Sequence, residues 1–396
     1  MAVTVATHEI APPAPFEGIE RSEWLLDPEY HFLNHGSFGA RTRTVLAAQM
    51  KYREAFEARP IEFLGRKFEG MLGQVKERVG ELLGAQGKDL AMMTNATEGV
   101  NAVLRSLKFE PGDELLTTNH VYNAVRQTMN VLANRAGAKA VEVNVPVPVR
   151  GPQDVVRAIE GAITERTKLI VVDHVTSPTA LVFPVKEIIE LAAKRGIDVL
   201  VDGAHAPGML DVKIEELAPA YYAGNLHKWV CAPPGSAFLW VRRDKQAGIL
   251  PPTISHHCME GFERAFGWQG TRDVSSWLAV TDAIGFLEQH SLTKIRAHNH
   301  TMATWVQAML CERWGVEASS PLDGQMLGSM ATVRLPEGVR KFGKAEALQA
   351  EIYSRHKIEV PVVDWSGAWW VRPCCQVYNR PEHYELLGDA VKHLAS

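Results

Sequence analysis

The run Asp198-Val-Leu-Val-Asp202 is apolar until it ends on a carboxylate, and the small-residue turn Gly203-Ala-His205-Ala-Pro-Gly208 follows at once. Lys228 comes 26 residues later, in Gly224-Asn225-Leu-His227-Lys228-Trp229, just ahead of the break at Pro233-Pro-Gly235. A lysine confined among apolar groups gives up its proton readily, and a neutral amine can form a Schiff base with a carbonyl. Taken singly, the Asp reads as a turn or helix-cap residue and the His-Lys pair as surface. Taken together, they match what pyridoxal phosphate (PLP) requires: a lysine for its aldehyde, an anion to keep its pyridine nitrogen protonated, and a cradle for its phosphate. Met93-Thr94-Asn-Ala96-Thr97-Glu98-Gly99 is a candidate cradle, since a helix starting near Glu98 would turn free N–H groups and the Thr97 hydroxyl toward an anion. The same residues also read as an ordinary Thr N-cap.

These residues need a scaffold, and the order of elements supplies one. Between about Glu81 and Val241, short runs rich in Val, Ile and Leu alternate with segments of helical period, the pattern of βαβ units around a mostly parallel sheet. Strands are expected at 168–174, 198–202 and 235–241, with a crossover helix over 185–195 that stops at Gly196. Asp202 then lies at the carboxyl end of a strand, where open α/β sheets bind ligands. Beyond about Trp277 the pattern becomes one long helix to Trp314, strands at 330–335, 358–363 and 369–372, and a terminal helix from Pro381. The expected fold class is α/β: a large domain with a mostly parallel central sheet (31–278), a smaller α+β C-terminal domain (279–396) and a mobile N-terminal arm (1–30).

The motifs match a family. The chain resembles the PLP-dependent fold-type I enzymes of the class V aminotransferase group, and within it the isopenicillin N epimerase-like branch, from about Phe32 to Tyr378. The likeness rests on Phe32-Leu-Asn-His-Gly-Ser-Phe-Gly39, Thr94-Asn-Ala-Thr97, Val201-Asp-Gly-Ala-His-Ala-Pro-Gly208, Asn225-Leu-His-Lys-Trp229, Gly270-Thr-Arg-Asp273 and Val360-Pro-Val-Val363. It implies that Lys228 is the Schiff-base lysine, that Asp202 pairs with the pyridinium nitrogen and that His205 reaches the ring hydroxyl. Tyr122 matches the position whose ring stacks on the cofactor. Thr97 and the Ala96 backbone, with Asn225 and His227, match the phosphate contacts. Thr271 matches a phosphate contact donated by a second subunit, which implies a homodimer with shared sites. Arg372 matches the clamp for the substrate α-carboxylate, and Asn34 and His35 match residues lining the substrate pocket.

Two departures bear on the reaction. The clamp continues Arg372-Pro-Cys-Cys375 where the family usually has Arg-Ile-Ser or Arg-Val-Ser, and the loop Asp173 to Ala180 offers Thr176 or Ser177 where cysteine desulfurases carry Asn. Those enzymes also need a mobile cysteine shortly before the arginine, and Phe342 to Val371 contains none. The expected function is therefore PLP chemistry at the α-carbon of an amino acid, epimerisation first, with Lys228 and Tyr122 as proton carriers on opposite faces. A β-eliminating C–S lyase or an aminotransferase-like enzyme is the alternative, and a non-catalytic PLP-fold binding protein the remote one.

The composition narrows the field without naming a reaction. The 396 residues carry 42 Lys and Arg against 46 Asp and Glu, a net charge of −4 that lacks the basic field nucleic acid demands. No apolar run approaches membrane-spanning length and the start has no basic leader, so a cytoplasmic protein without membrane attachment is expected. Five irregularly spaced cysteines suggest reduced thiols. His256-His257-Cys258 invites a metal, yet adjacent residues rarely converge on one ion, so a loop near the pocket and no metal is the expectation. Trp365, Trp369 and Trp370 read equally as a channel lining or as core.

Overall fold

The computed structural model describes residues 11–396. A seven-stranded sheet forms its centre: β1 (Leu90–Met93), β2 (Glu114–Thr118), β3 (Lys139–Val143), β4 (Thr167–Asp173), β5 (Asp198–Asp202), β6 (Tyr221–Asn225) and β7 (Ala237–Val241). The spatial order is β1-β7-β6-β5-β4-β2-β3, and only β7 runs antiparallel to its neighbours. Both faces of the central strands are covered, which is why β4 and β5 are largely apolar, whereas the edge strand β3 carries the exposed Lys139 and Glu142. Leu116, Ile170, Val172, Val199 and Val201 pack toward one side, and Leu115, Leu169, Val171 and Leu200 toward the other.

The C-terminal part has its own apolar core, in which Met302, Val306, Leu310, Leu348, Ile352, Trp369, Tyr384 and Leu387 are buried. Trp369 therefore belongs to the core, whereas Trp365 and Trp370 line a cavity elsewhere. The single helix expected to end at Trp314 is three helices, Ser275–Leu278, Val280–Gln289 and Leu292–Trp314. The last break falls at Ser291, whose φ of 60° no continuous helix tolerates. The expected strand 330–335 contracts to Val333–Arg334, and 358–363 divides into Ile358–Glu359 and Val362–Trp365 around Pro361, which has no N–H to give a ladder.

The N-terminal segment also departs from expectation. The first ten residues of the expected mobile arm lie outside the described residues; residues 11–18 are largely exposed, but Ile19 and Trp24 are buried in the large core. Two isolated apolar residues give no periodicity, so the sequence pattern hides them. His31–Phe32 then pairs in parallel with Ile358–Glu359, and Leu33 sits in the C-terminal core. No helix of the described residues is long and apolar enough to cross a membrane.

Candidate functional site: a desolvated lysine among buried charges

β4, β5 and β6 end side by side on Asp173, Asp202 and Asn225, with Asp173 directly opposite Asp202 in register. The strands deliver these side chains to one rim because all three run parallel. A cavity of about 510 Å³ opens there, and its wall includes Thr94, Ala96, Thr97, Tyr122, Asp173, Ser177, Asp202, His205, Asn225, His227 and Lys228. Lys228 arrives on the loop joining β6 to β7, and two glycines hold that loop. A Cβ at Gly39 would fall 1.9 Å from the His227 carbonyl oxygen, and one at Gly208 would fall 2.5 Å from the Trp229 carbonyl. Both have positive φ, +69° and +84°, so a side chain there meets backbone strain as well as a clash.

Burial sets the electrostatics. The Lys228 ammonium is brought down from 10.5 to about 8, mainly by desolvation and further by the nearby Arg372 guanidinium. Its Nζ lies 3.2 Å from His205 Nε2, and burial with the neighbouring Lys228 drives the His205 imidazole well below its usual range. Asp202 is fully enclosed, and burial raises it even though the Ala204 N–H, 3.0 Å from its Oδ1, and Lys228 favour the anion. Asp173 is raised further by burial and by Asp202 beside it. His227 is lowered to about 4 by burial and by Lys228.

Arg372, read from sequence as a pocket residue, is buried just outside the cavity lining, behind Ser37 and Ser177. Among the described residues its guanidinium meets only neutral oxygens: Nη1 donates to the Ser177 carbonyl and, at 3.2 Å, to Ser177 Oγ, while Nη2 donates to Ser37 Oγ at 3.4 Å. Its Nε has no partner. A buried cation without a counter-ion is costly, and a guanidinium has the geometry to pair with a carboxylate through two hydrogen bonds.

Most of the residues read from sequence converge here, with exceptions. The helix of the candidate cradle starts at Ala96 rather than near Glu98, and Asn95 is its cap, accepting from the Glu98 N–H. The Ala96 N–H is not free for an anion, because Asn225 Oδ1 takes it at 2.8 Å. Asn34 and His35 do not line the cavity. Asn34 bonds to Glu359 at 3.1 Å and to Ser37, and His35 is fully buried behind Lys228, while Ser37 and Phe38 form the wall in their place. Thr271 is exposed and outside the lining of this single chain. His256 and His257 line a different cavity, and no cluster of three metal-ligating side chains occurs among the described residues. Asp173 was missed, although it closes its apolar strand just as Asp202 does.

The donor set fits pyridoxal phosphate. It combines an amine titrating near neutrality, a sequestered carboxylate one strand away, a helix N-terminus at the wall and a His205 Nδ1 that is buried without a partner. Fold and site together define a fold-type I PLP enzyme. The aminotransferase class-V family model matches residues 36–355, and the chain belongs to that PLP-dependent family. An isopenicillin N epimerase from Amycolatopsis lactamdurans is 32% identical, covering 95% of this chain and 98% of its own length. A probable chloroplastic L-cysteine desulfhydrase from Arabidopsis thaliana is 29% identical, covering 93% and 83%. Among solved structures, a cystine C–S lyase in complex with its product cysteine persulfide superposes with a TM-score of 0.77 at 19% identity, covering 93% and 97%.

Proposed function

We propose that the protein is a PLP-dependent amino-acid epimerase. The carrying observation is that Lys228 and Tyr122 enter one cavity from different elements, beside a buried arginine that lacks a counter-ion. When bound, pyridoxal phosphate supplies the electron sink for charge left at the α-carbon. Lys228 would hold the cofactor's aldehyde, Asp202 its ring nitrogen, His205 its ring hydroxyl, and Thr97, Asn225 and His227 its phosphate. Arg372 receives the substrate α-carboxylate and fixes which face of the α-carbon meets Lys228. Lys228 Nζ, neutral in an appreciable fraction near pH 8, removes the α-proton as a general base. Tyr122, 44% exposed on the wall, returns a proton from the other face through its hydroxyl.

A β-eliminating C–S lyase is the second reading. It is favoured by Lys228 being the one cavity amine brought near neutrality, since elimination needs a single base. We further propose a cytoplasmic homodimer in which Thr271 contacts the neighbour's cofactor phosphate. Five free cysteines support a reducing compartment, and light scattering tests the dimer. The deciding experiment incubates the holoenzyme in D2O with L-amino acids and with cysteine conjugates. Deuterium at the α-position with loss of optical activity is expected. Pyruvate or released sulfur species would establish the lyase instead.

A further inference from the structure

The turn His35–Phe38 touches both ends of the reaction centre. Ser37 Oγ accepts from Arg372 Nη2 at 3.4 Å, and two residues earlier His35 Nε2 lies 3.0 Å from the backbone carbonyl of Lys228. A carbonyl only accepts, so Nε2 carries the proton and Nδ1 accepts from the Tyr378 hydroxyl 2.8 Å away. Burial lowers His35 to about 4, which keeps this tautomer neutral. The segment around it is held from the C-terminal side. Glu359 O accepts from Leu33 N–H at 2.9 Å, Leu33 O accepts from Cys374 N–H at 2.9 Å, and the Gly36 N–H reaches Cys374 Sγ at 3.2 Å. On the other side Gly39 abuts the His227 carbonyl. Residues 31–39 thus form a strap fastened to the arginine's surroundings and to the lysine's main chain.

We infer that His35 is a positioning residue that couples carboxylate capture at Arg372 to the placement of Lys228. The connection has few joints: Arg372 to Ser37, one helical turn, and His35 to the Lys228 carbonyl. A carboxylate that draws the guanidinium away from Ser37 alters the strain on that turn, and His35 passes the change to the backbone bearing the amine. Coupling of this kind is reciprocal, so it is measurable as a change in cofactor affinity. The inference rests on Lys228 holding the cofactor.

The test is a binding cycle that needs no turnover. The Kd for PLP is measured with and without saturating propionate, a carboxylate without an amine, in the native chain and in His35→Phe, Ser37→Ala and His35→Gln. In the native chain propionate is expected to change the Kd about fivefold or more. His35→Phe, which loses the hydrogen bonds to the Lys228 carbonyl and to Tyr378, and Ser37→Ala should each cut that factor by at least half, whereas His35→Gln, retaining an N–H donor, should restore it. Should His35→Phe fail to fold, Tyr378→Phe removes the hydroxyl that holds the His35 ring at Nδ1 and should weaken the coupling in the same direction. A native-sized factor in the variants overturns the inference while leaving the cofactor assignment intact. Native protein that binds no PLP overturns both.

Discussion

Two cavities invite comparison, and the larger one is chemically the poorer. A space of about 640 Å³ lies between Pro146–Pro148, Arg334–Glu337 and Trp365–Trp370, against about 510 Å³ at the strand ends. In the larger, Arg334 and Glu337 are exposed and paired with each other at 2.7 Å, so each charge is already answered by its neighbour and by water. At the smaller, Asp173 and Asp202 are buried and Lys228 is half-buried and desolvated, while just behind the wall the buried cation at Arg372 meets, among the described residues, only neutral oxygens. Desolvated charge awaiting a partner, rather than volume, marks the place where chemistry occurs.

Breaking the contrast at its centre gives the largest effect. Lys228→Ala should abolish the borohydride-sensitive visible absorption of the holoenzyme and lower kcat/KM by about 10⁴-fold or more. Arg372→Met comes next. Loss of a buried charge contact costs about 2–5 kcal/mol of transition-state binding, so kcat/KM falls steeply, yet thermal unfolding of the cofactor-free variant should shift upward because an uncompensated buried cation is gone. A drop in its melting temperature would mean that the guanidinium contributes structure rather than readiness for a ligand.

The lysine's own cost sharpens the contrast through pH. Its folded pKa is about 8 against 10.5 when free, so between those values the unfolded chain binds the extra proton and stability rises with pH. At or below pH 7, cofactor-free Lys228→Met should therefore exceed the native chain by up to about 3 kcal/mol. Denaturant titration should show that advantage vanishing by about pH 10.5. At the other extreme, Arg334→Ala in the larger cavity should change stability by less than about 1 kcal/mol and leave kcat untouched.

How much of this was legible in the sequence depended on the distance over which each feature is decided. Asp202 and Lys228 were readable because an apolar run ending on a charge is a local signal and β6, β7 and the loop between them are contiguous in sequence. Asp173 carries the same local signal, but it acquires meaning only when β4 lands in register beside β5, which no spacing rule states. Arg372 was reachable through family likeness alone, since its burial depends on Ser177, far away in sequence. His35 was assigned to the pocket wall, yet residues two apart on a helical turn face nearly opposite ways, and the structure gives the wall to Ser37 and Phe38. The break at Ser291 and the burial of Ile19 and Trp24 are likewise decided by tertiary packing.

The strap at residues 31–39 also has a consequence for the order of assembly. The lysine loop joins two neighbouring antiparallel strands, so it can form as soon as that stretch of chain is available. The strap, by contrast, is fastened to Ile358, Glu359 and Cys374, and closing so long a loop must wait for almost the whole chain. During synthesis Lys228 would thus be present well before the strap abuts its main chain. The earliest residues of the strap are among the last to find their partners, which delays the final placement of this desolvated amine until the C-terminal core has formed.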